Sequence, residues 1–153
     1  MIQRIQSIYY LLAVATACLS LFLPIVSYVG EQGEIAGQLY GYGLQLADGS
    51  FLKTPWGIVI FAINCIVWQV VCFFSYKNRV RQIKLSSMVI LLLLILVATI
   101  AVYAWAYTDN AQGKLVLGYG VPFPLLSVIF TWLARKNVKK DEDLEVVRHA
   151  NNL

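Results

Sequence analysis

The chain has 153 residues, 59% of them hydrophobic and 13% charged, against about 25% charged residues in an ordinary soluble domain. Half the usual charge cannot cover a globular surface, and this excludes a typical soluble protein, a disordered chain and a nucleic-acid module. The net charge of +4 then concerns a membrane protein, in which the position of the charges matters more than their sum.

A bilayer core of about 30 Å takes about 20 apolar residues per helix. Four stretches meet or approach that length, and the first, residues 8–29, carries no charge. A lipoprotein signal ending at Cys18 is the competing reading of this stretch. It fails because the apolar run continues well beyond Cys18, too far for a signal core. The following segment, 30–55, is rich in glycine. Within it Tyr40, Tyr42, Leu44 and Leu46 alternate with Gly41, Gly43 and Gln45, the period of a strand. Ala47-Asp48-Gly49-Ser50 supplies a turn and Phe51-Leu52 a return strand, so a small β-hairpin is predicted here. A lone hairpin is marginal in water, and its aromatic face must lean on the bundle or on a partner.

The second predicted span is 56–76 and the third 85–107, both uncharged. The fourth is 119–134, its start blurred by Gly118, Gly120, Pro122 and Pro124. Proline is tolerated in the first helical turn, which favours a helix from near Val121 past Arg135. The tail, 135–153, mixes charges and carries one apolar edge at Leu144 and Val147. Whether it is helical stays open at this level.

Lysine and arginine set the orientation. One side of the membrane receives Arg4, the turn residues Lys77, Arg79, Arg81 and Lys84, and the tail residues Arg135, Lys136, Lys139, Lys140 and Arg148. The other receives only Lys53 and Lys114 against Glu31, Glu34, Asp48 and Asp109. Short loops with excess Lys/Arg stay cytoplasmic, so both termini are expected inside and 30–55 outside. Tyr and Trp gather at both boundaries, as interfacial rings do. Trp68, near mid-depth, is the exception and is expected to pack between helices.

Few residues could carry chemistry. No Asp, Glu, Lys, Arg or His lies within a predicted span, where pumps and ion pathways place theirs. The single histidine, His149, sits in the polar tail without a nucleophile or orienting partner. The cysteines Cys18, Cys65 and Cys72 lack metal-ligand spacing. No cofactor and no catalytic or metal site is expected, nor is an enzyme. The spans instead carry stripes of small and weakly polar residues, among them Thr16 and Ser20 on the first, Gln69 on the second, and Ser127 and Thr131 on the fourth. Such stripes let helices approach and bond across the bundle, or line a substrate path. Asn64 lies about 140° around the helix from Gln69, on a face with Trp68. It either meets another helix of the chain or contacts a second protein. Lys77, Arg79, Arg81, Lys84, Arg135, Lys136, Lys139 and Lys140 serve topology or bind anionic lipid headgroups.

Three polar signatures fall in order around the apolar spans: Met1-Ile2-Gln3-Arg4-Ile5-Gln6-Ser7-Ile8-Tyr9, then residues 75–85 from Ser75-Tyr76-Lys77-Asn78-Arg79 to Leu85, and Arg135-Lys136-Asn137 running into Lys139-Lys140-Asp141-Glu142-Asp143-Leu144. Together they resemble a family of small four-span inner-membrane proteins of Bacteroidota, described only as a domain of unknown function. The resemblance covers essentially the whole chain. It implies an inner membrane, cytoplasmic ends and an outer hairpin, and carries no catalytic residues with it.

The expectation is therefore one integral membrane domain over 1–153: an all-α, four-span antiparallel bundle with a small extracytoplasmic β-hairpin between spans 1 and 2. Its expected role is non-enzymatic, an accessory or scaffolding subunit of a larger inner-membrane assembly. Expected partners are membrane lipids and other integral membrane proteins, without nucleic acid; candidate contacts are Asn64, Trp68, Tyr40, Tyr42 and Phe51. The rival is an oligomeric transporter of lipids or small molecules.

Overall fold

The computed structural model describes residues 2–111 and 113–152, without the side chains of residues 2–4 and 110. Met1, Leu153 and the side chain of Arg4, which entered the signatures and the charge pattern above, lie outside the described residues. The elements in chain order are α1 (Ile2–Phe22), β1 (Val26–Val29), β2 (Ile35–Leu39), β3 (Leu44–Leu46) and β4 (Phe51–Lys53). They continue with α2 (Trp56–Phe74), a 3-10 turn (Ser75–Lys77), α3 (Arg79–Ala106), α4 (Thr108–Ala111), β5 (Lys114–Leu117) and α5 (Pro122–Asn151).

Among the described residues three helical segments, Ile5–Phe22, Trp56–Lys77 and Arg79–Ala106, are long and apolar enough to cross a membrane. The apolar part of α5, 122–134, is only about 20 Å long at 1.5 Å per residue, and the remainder is highly charged. The helix nevertheless runs unbroken to Asn151, so the tail left open above is helical nearly to its end. Its start matches the expectation: Val121 is the N-cap, with Pro122 and Pro124 in the first turn.

The first apolar run does not form one element. The helix stops at Phe22 because Pro24 has no N–H to donate and disfavours helical geometry in the residue before it. The rest of the run turns into β1. That strand is interior to the sheet, and the buried Ile25, Val26 and Tyr28 at and beside it make a continuous apolar stretch that reads like part of a span.

The predicted hairpin is correspondingly a larger structure, so the fold is not all-α. Five antiparallel strands in the order β4-β3-β2-β1-β5 form one sheet at one end of the helices. The turn at 47–50 and the return strand at Phe51 fall where expected; Gly49 supplies the positive φ of 83° that the turn requires. The register of the preceding strands differs. Tyr40 and Gly43 close a turn between β2 and β3, with the Tyr40 N–H donating to the Gly43 carbonyl at 2.8 Å. Tyr40 and Tyr42 therefore sit in a turn and not in a strand. β5 joins from far along the chain, pairing Leu117 with Val26 and Lys114 with Val29.

Backbone and side-chain hydrogen bonds fasten the sheet to the helical part. The Gly118 and Gly120 N–H groups donate to the Ile25 and Pro24 carbonyls at 2.9 and 2.8 Å. The buried Tyr28 hydroxyl donates to the Ala104 carbonyl at 2.7 Å. Gly118 has to be glycine, since a Cβ there would lie 2.3 Å from the Pro24 oxygen. Below the sheet α5 packs along α1 and α3, and α2 lies against α1 and α3. The interior is lined by small residues, including Ala13, Ala17, Ala62, Cys65, Cys72 and Ala134, which allow close backbone approach.

Candidate functional site

Three groups of polar or aromatic side chains stand out: a seam inside the helices, a cluster on the sheet, and a charged patch at the opposite end.

The seam is built from the middle of the bundle outward. Gln69, wholly buried on α2, donates through Nε2 to Ser127 Oγ at 2.7 Å and to Thr131 Oγ1 at 3.3 Å, both on α5. Ser127 donates onward to the Ala13 carbonyl of α1 at 2.9 Å, and Thr131 to the Ser127 carbonyl at 2.8 Å. One amide thus ties three helices together. Its Oε1 is buried without a hydrogen-bond partner among the described residues. Thr16 and Ser20 are also buried, but they bond to carbonyls of their own helix, Leu12 and Ala13 for Thr16 and Ala17 for Ser20. They contribute small size to the α1 face, not cross-helix bonds.

A second part of the seam was not read from the sequence. Near the chain termini, buried Gln6 of α1 donates to the carboxylate of Asp141 on α5. One turn further along α1, the buried Tyr10 hydroxyl meets Ser86 of α3. Ser86 donates to the Gln82 carbonyl at 2.7 Å, and Gln82 Nε2 to the Cys72 carbonyl at 2.9 Å. The signal lay in the spacing: Gln6, Tyr10, Ala13, Ala17 and Ser20 form one continuous stripe, as do Gln82, Ser86, Val89 and Leu93. Gln6 and Gln82 lie just outside the predicted spans, and Tyr10, near the edge of the first, is only 1% exposed.

Asn64 takes no part in the seam. It lies on the exposed face of α2 and donates to the Ile60 carbonyl of its own helix at 2.9 Å. Its neighbours on that face, Ile60, Ile63 and Val67, are each about half exposed. Of the two readings open for Asn64, the meeting with another helix of the same chain is not what the described residues form. Trp68 packs part-buried against the core.

On the sheet, the rings of Tyr40, Tyr42 and Phe51 stack in a row, with centroids 5.3 and 5.8 Å apart. Tyr40 is half-buried and its hydroxyl donates to Gln38 Oε1 at 2.9 Å. Tyr42 and Phe51 are exposed. In the nearby turn, Asp48 accepts from the Ser50 hydroxyl and N–H, which holds its carboxyl below the usual carboxylate range.

At the far end, Asn78 caps α3 by accepting from the Arg81 N–H at 3.1 Å. Arg79 forms an ion pair with Glu145 of α5. Arg135 Nε donates to Ser87 Oγ at 2.8 Å, and the Lys136 ammonium lies 5.3 Å over the Trp132 ring. Lys77, Arg81, Lys84, Lys139 and Lys140 are exposed. The α2–α3 turn therefore shares one end with the start of α1 and the charged half of α5, and the sheet occupies the other.

These features define a mostly helical protein with three membrane-length apolar helices, a small sheet at one end and a basic patch at the other. The chain belongs to the family described as a domain of unknown function (DUF4293), whose family model matches residues 2–153. A search of the curated proteins finds no match.

Proposed function

We propose that the protein is a non-enzymatic, four-span protein of the bacterial inner membrane, acting as an accessory or scaffolding subunit of a larger membrane assembly. In this reading the apolar part of α5 is the fourth crossing, made short because it is shielded by α1 and α3. The basic end, with both termini, faces the cytoplasm, as excess lysine and arginine require. The sheet faces outward.

One observation carries the scaffolding role. Gln69, Ser127 and Thr131 inside the bundle are turned toward one another, whereas Asn64, Tyr42 and Phe51 are turned outward. An amide facing lipid is costly, and a second membrane protein covering the Ile60–Asn64–Val67 face removes that cost. A transporter would reverse the pattern, with its polar groups lining a wet path.

The test is migration in native membranes solubilised in mild detergent. The protein is expected to run with larger membrane proteins, and Asn64→Leu, or Tyr40→Ser with Tyr42→Ser, to weaken that association while insertion is unchanged. A protein that runs alone or as a homo-oligomer and carries solute into liposomes, with flux lost when Ser127 and Thr131 become Ala, would overturn the proposal in favour of transport.

A further inference from the structure

Where the α2–α3 turn faces the charged half of α5, a cavity of about 430 Å³ is lined by Tyr76, Lys77, Arg79, Val80, Glu142 and Glu145, together with the capping Asn78. Two of its four charges are spent on each other, since Arg79 pairs with Glu145. The other two, Lys77 and Glu142, have no hydrogen-bond or ion-pair partner among the described residues. The cavity thus offers one uncommitted cation and one uncommitted anion.

Its depth is as informative as its charge. Lys77 ends one membrane-length segment and Arg79 begins the next, so the cavity opens at the level where acyl chains give way to headgroups. Its apolar rim is exposed: Phe74 just before it is 67% accessible, Tyr76 53% and Val80 50%. A wholly anionic headgroup would meet Glu142 and Glu145, and a wholly cationic ligand would meet Lys77 and Arg79.

We infer that this cavity binds the headgroup of a zwitterionic phospholipid carrying a primary ammonium, of the phosphatidylethanolamine type, with its phosphate on Lys77 and its ammonium on Glu142. The ammonium N–H groups donate to the Glu142 carboxylate, which a choline headgroup cannot do. The apolar rim selects a lipid over free phosphoethanolamine. The inference rests on the membrane placement proposed above, but neither on the orientation nor on the scaffolding role.

The full-length protein is reconstituted in nanodiscs of phosphatidylcholine doped with either phosphatidylethanolamine or phosphatidylglycerol, and the lipid retained after transfer to detergent is read by native mass spectrometry. Phosphatidylethanolamine should be retained about tenfold over either of the others, the worth of one charge-assisted hydrogen bond. Glu142→Gln should abolish that preference and raise retention of phosphatidylglycerol. Lys77→Gln should lower retention of all phospholipids, with Lys77→Arg restoring it, and Lys114→Gln on the sheet at the other end should change nothing. Unaltered thermal midpoints show that the variants are folded. Equal or better retention of phosphatidylglycerol by the wild type, or no effect of Lys77→Gln, would overturn the site. Displacement of the lipid by equimolar phosphoethanolamine would overturn its assignment to a lipid. Because both leaflets of the nanodisc are alike, a reversed orientation cannot cause either failure.

Discussion

Replacing Gln69 by leucine tests whether the buried amide is structural. The substitution removes the bonds at 2.7 and 3.3 Å to Ser127 and Thr131. Cross-helix side-chain bonds in membranes average about 0.6 kcal/mol, so the pair is worth about 1 kcal/mol. Against that stands Oε1, buried without a partner, and a buried unsatisfied acceptor costs about 1–3 kcal/mol. The change also strands no donor, because Ser127 still donates to the Ala13 carbonyl and Thr131 to the Ser127 carbonyl. Gln69→Leu should therefore unfold within about 1 kcal/mol of the wild type, or up to about 2 kcal/mol more stably, since relief of the orphan offsets the lost bonds. Ser127→Ala is the contrasting case. It keeps the amide and takes away its nearer acceptor, so it should cost about 1–3 kcal/mol. Both are measured by reversible unfolding in mixed detergent micelles, and the double variant closes the cycle. A loss above about 3 kcal/mol for Gln69→Leu, the size expected when a fully satisfied buried network is broken, would refute the reasoning. A folded Gln69→Leu protein that loses its cellular phenotype would make the amide a contact for ligand or partner.

Gly118→Ala should destabilise the protein by about 1–3 kcal/mol through overpacking, because the new Cβ is forced to within 2.3 Å of the Pro24 oxygen; an unchanged thermal midpoint in detergent would show that the sheet is not pinned there. Burial, reinforced by Tyr107, pushes the Tyr28 hydroxyl up to about 12 from an ordinary value near 10. The folded state therefore favours neutral Tyr28, a contribution fully present below pH 10 and lost as pH rises toward 12. The midpoint should consequently fall more steeply over that window in the wild type than in Tyr28→Phe, and parallel curves would contradict this. In a cysteine-free background, single cysteines at Asp48 or Asp109 should react with a membrane-impermeant thiol reagent from outside, while those at Asn78 or Asn151 are protected in intact inner membranes. The reverse pattern would invert the orientation, and labelling at all four would break the span count.

The membrane class, the basic end and the helical starts at Trp56 and Val121–Pro122 were legible in the sequence because they depend on local properties. Runs of apolar residues, prolines in a first turn and clustered lysines act within a few residues of themselves. The cross-helix role of Ser127, Thr131 and Gln69 was also visible in outline, since small and polar residues at three- and four-residue steps mark a contact face. Thr16 and Ser20 share the same spacing yet bond to their own backbone. A stripe identifies a face without saying which groups on the partner helix lie within reach.

What only tertiary structure decided depends on segments far apart in the chain. Residues 26–29 read as the end of a span because a strand buried within a sheet and a buried helix are equally apolar. β5, which pairs with β1 across more than eighty residues, settles which one it is. The same holds for Asn64 and Gln69, two amides on one helix with equal intrinsic cost. The inward position of one and the outward position of the other follow from where α1, α3 and α5 pack around α2. The pairing of Gln6 with Asp141 and the meeting of Lys77 with Glu142 in one cavity arise only when segments far apart in the chain come together. Composition and periodicity determine which residues leave water; the packing of distant elements determines what each of them meets there.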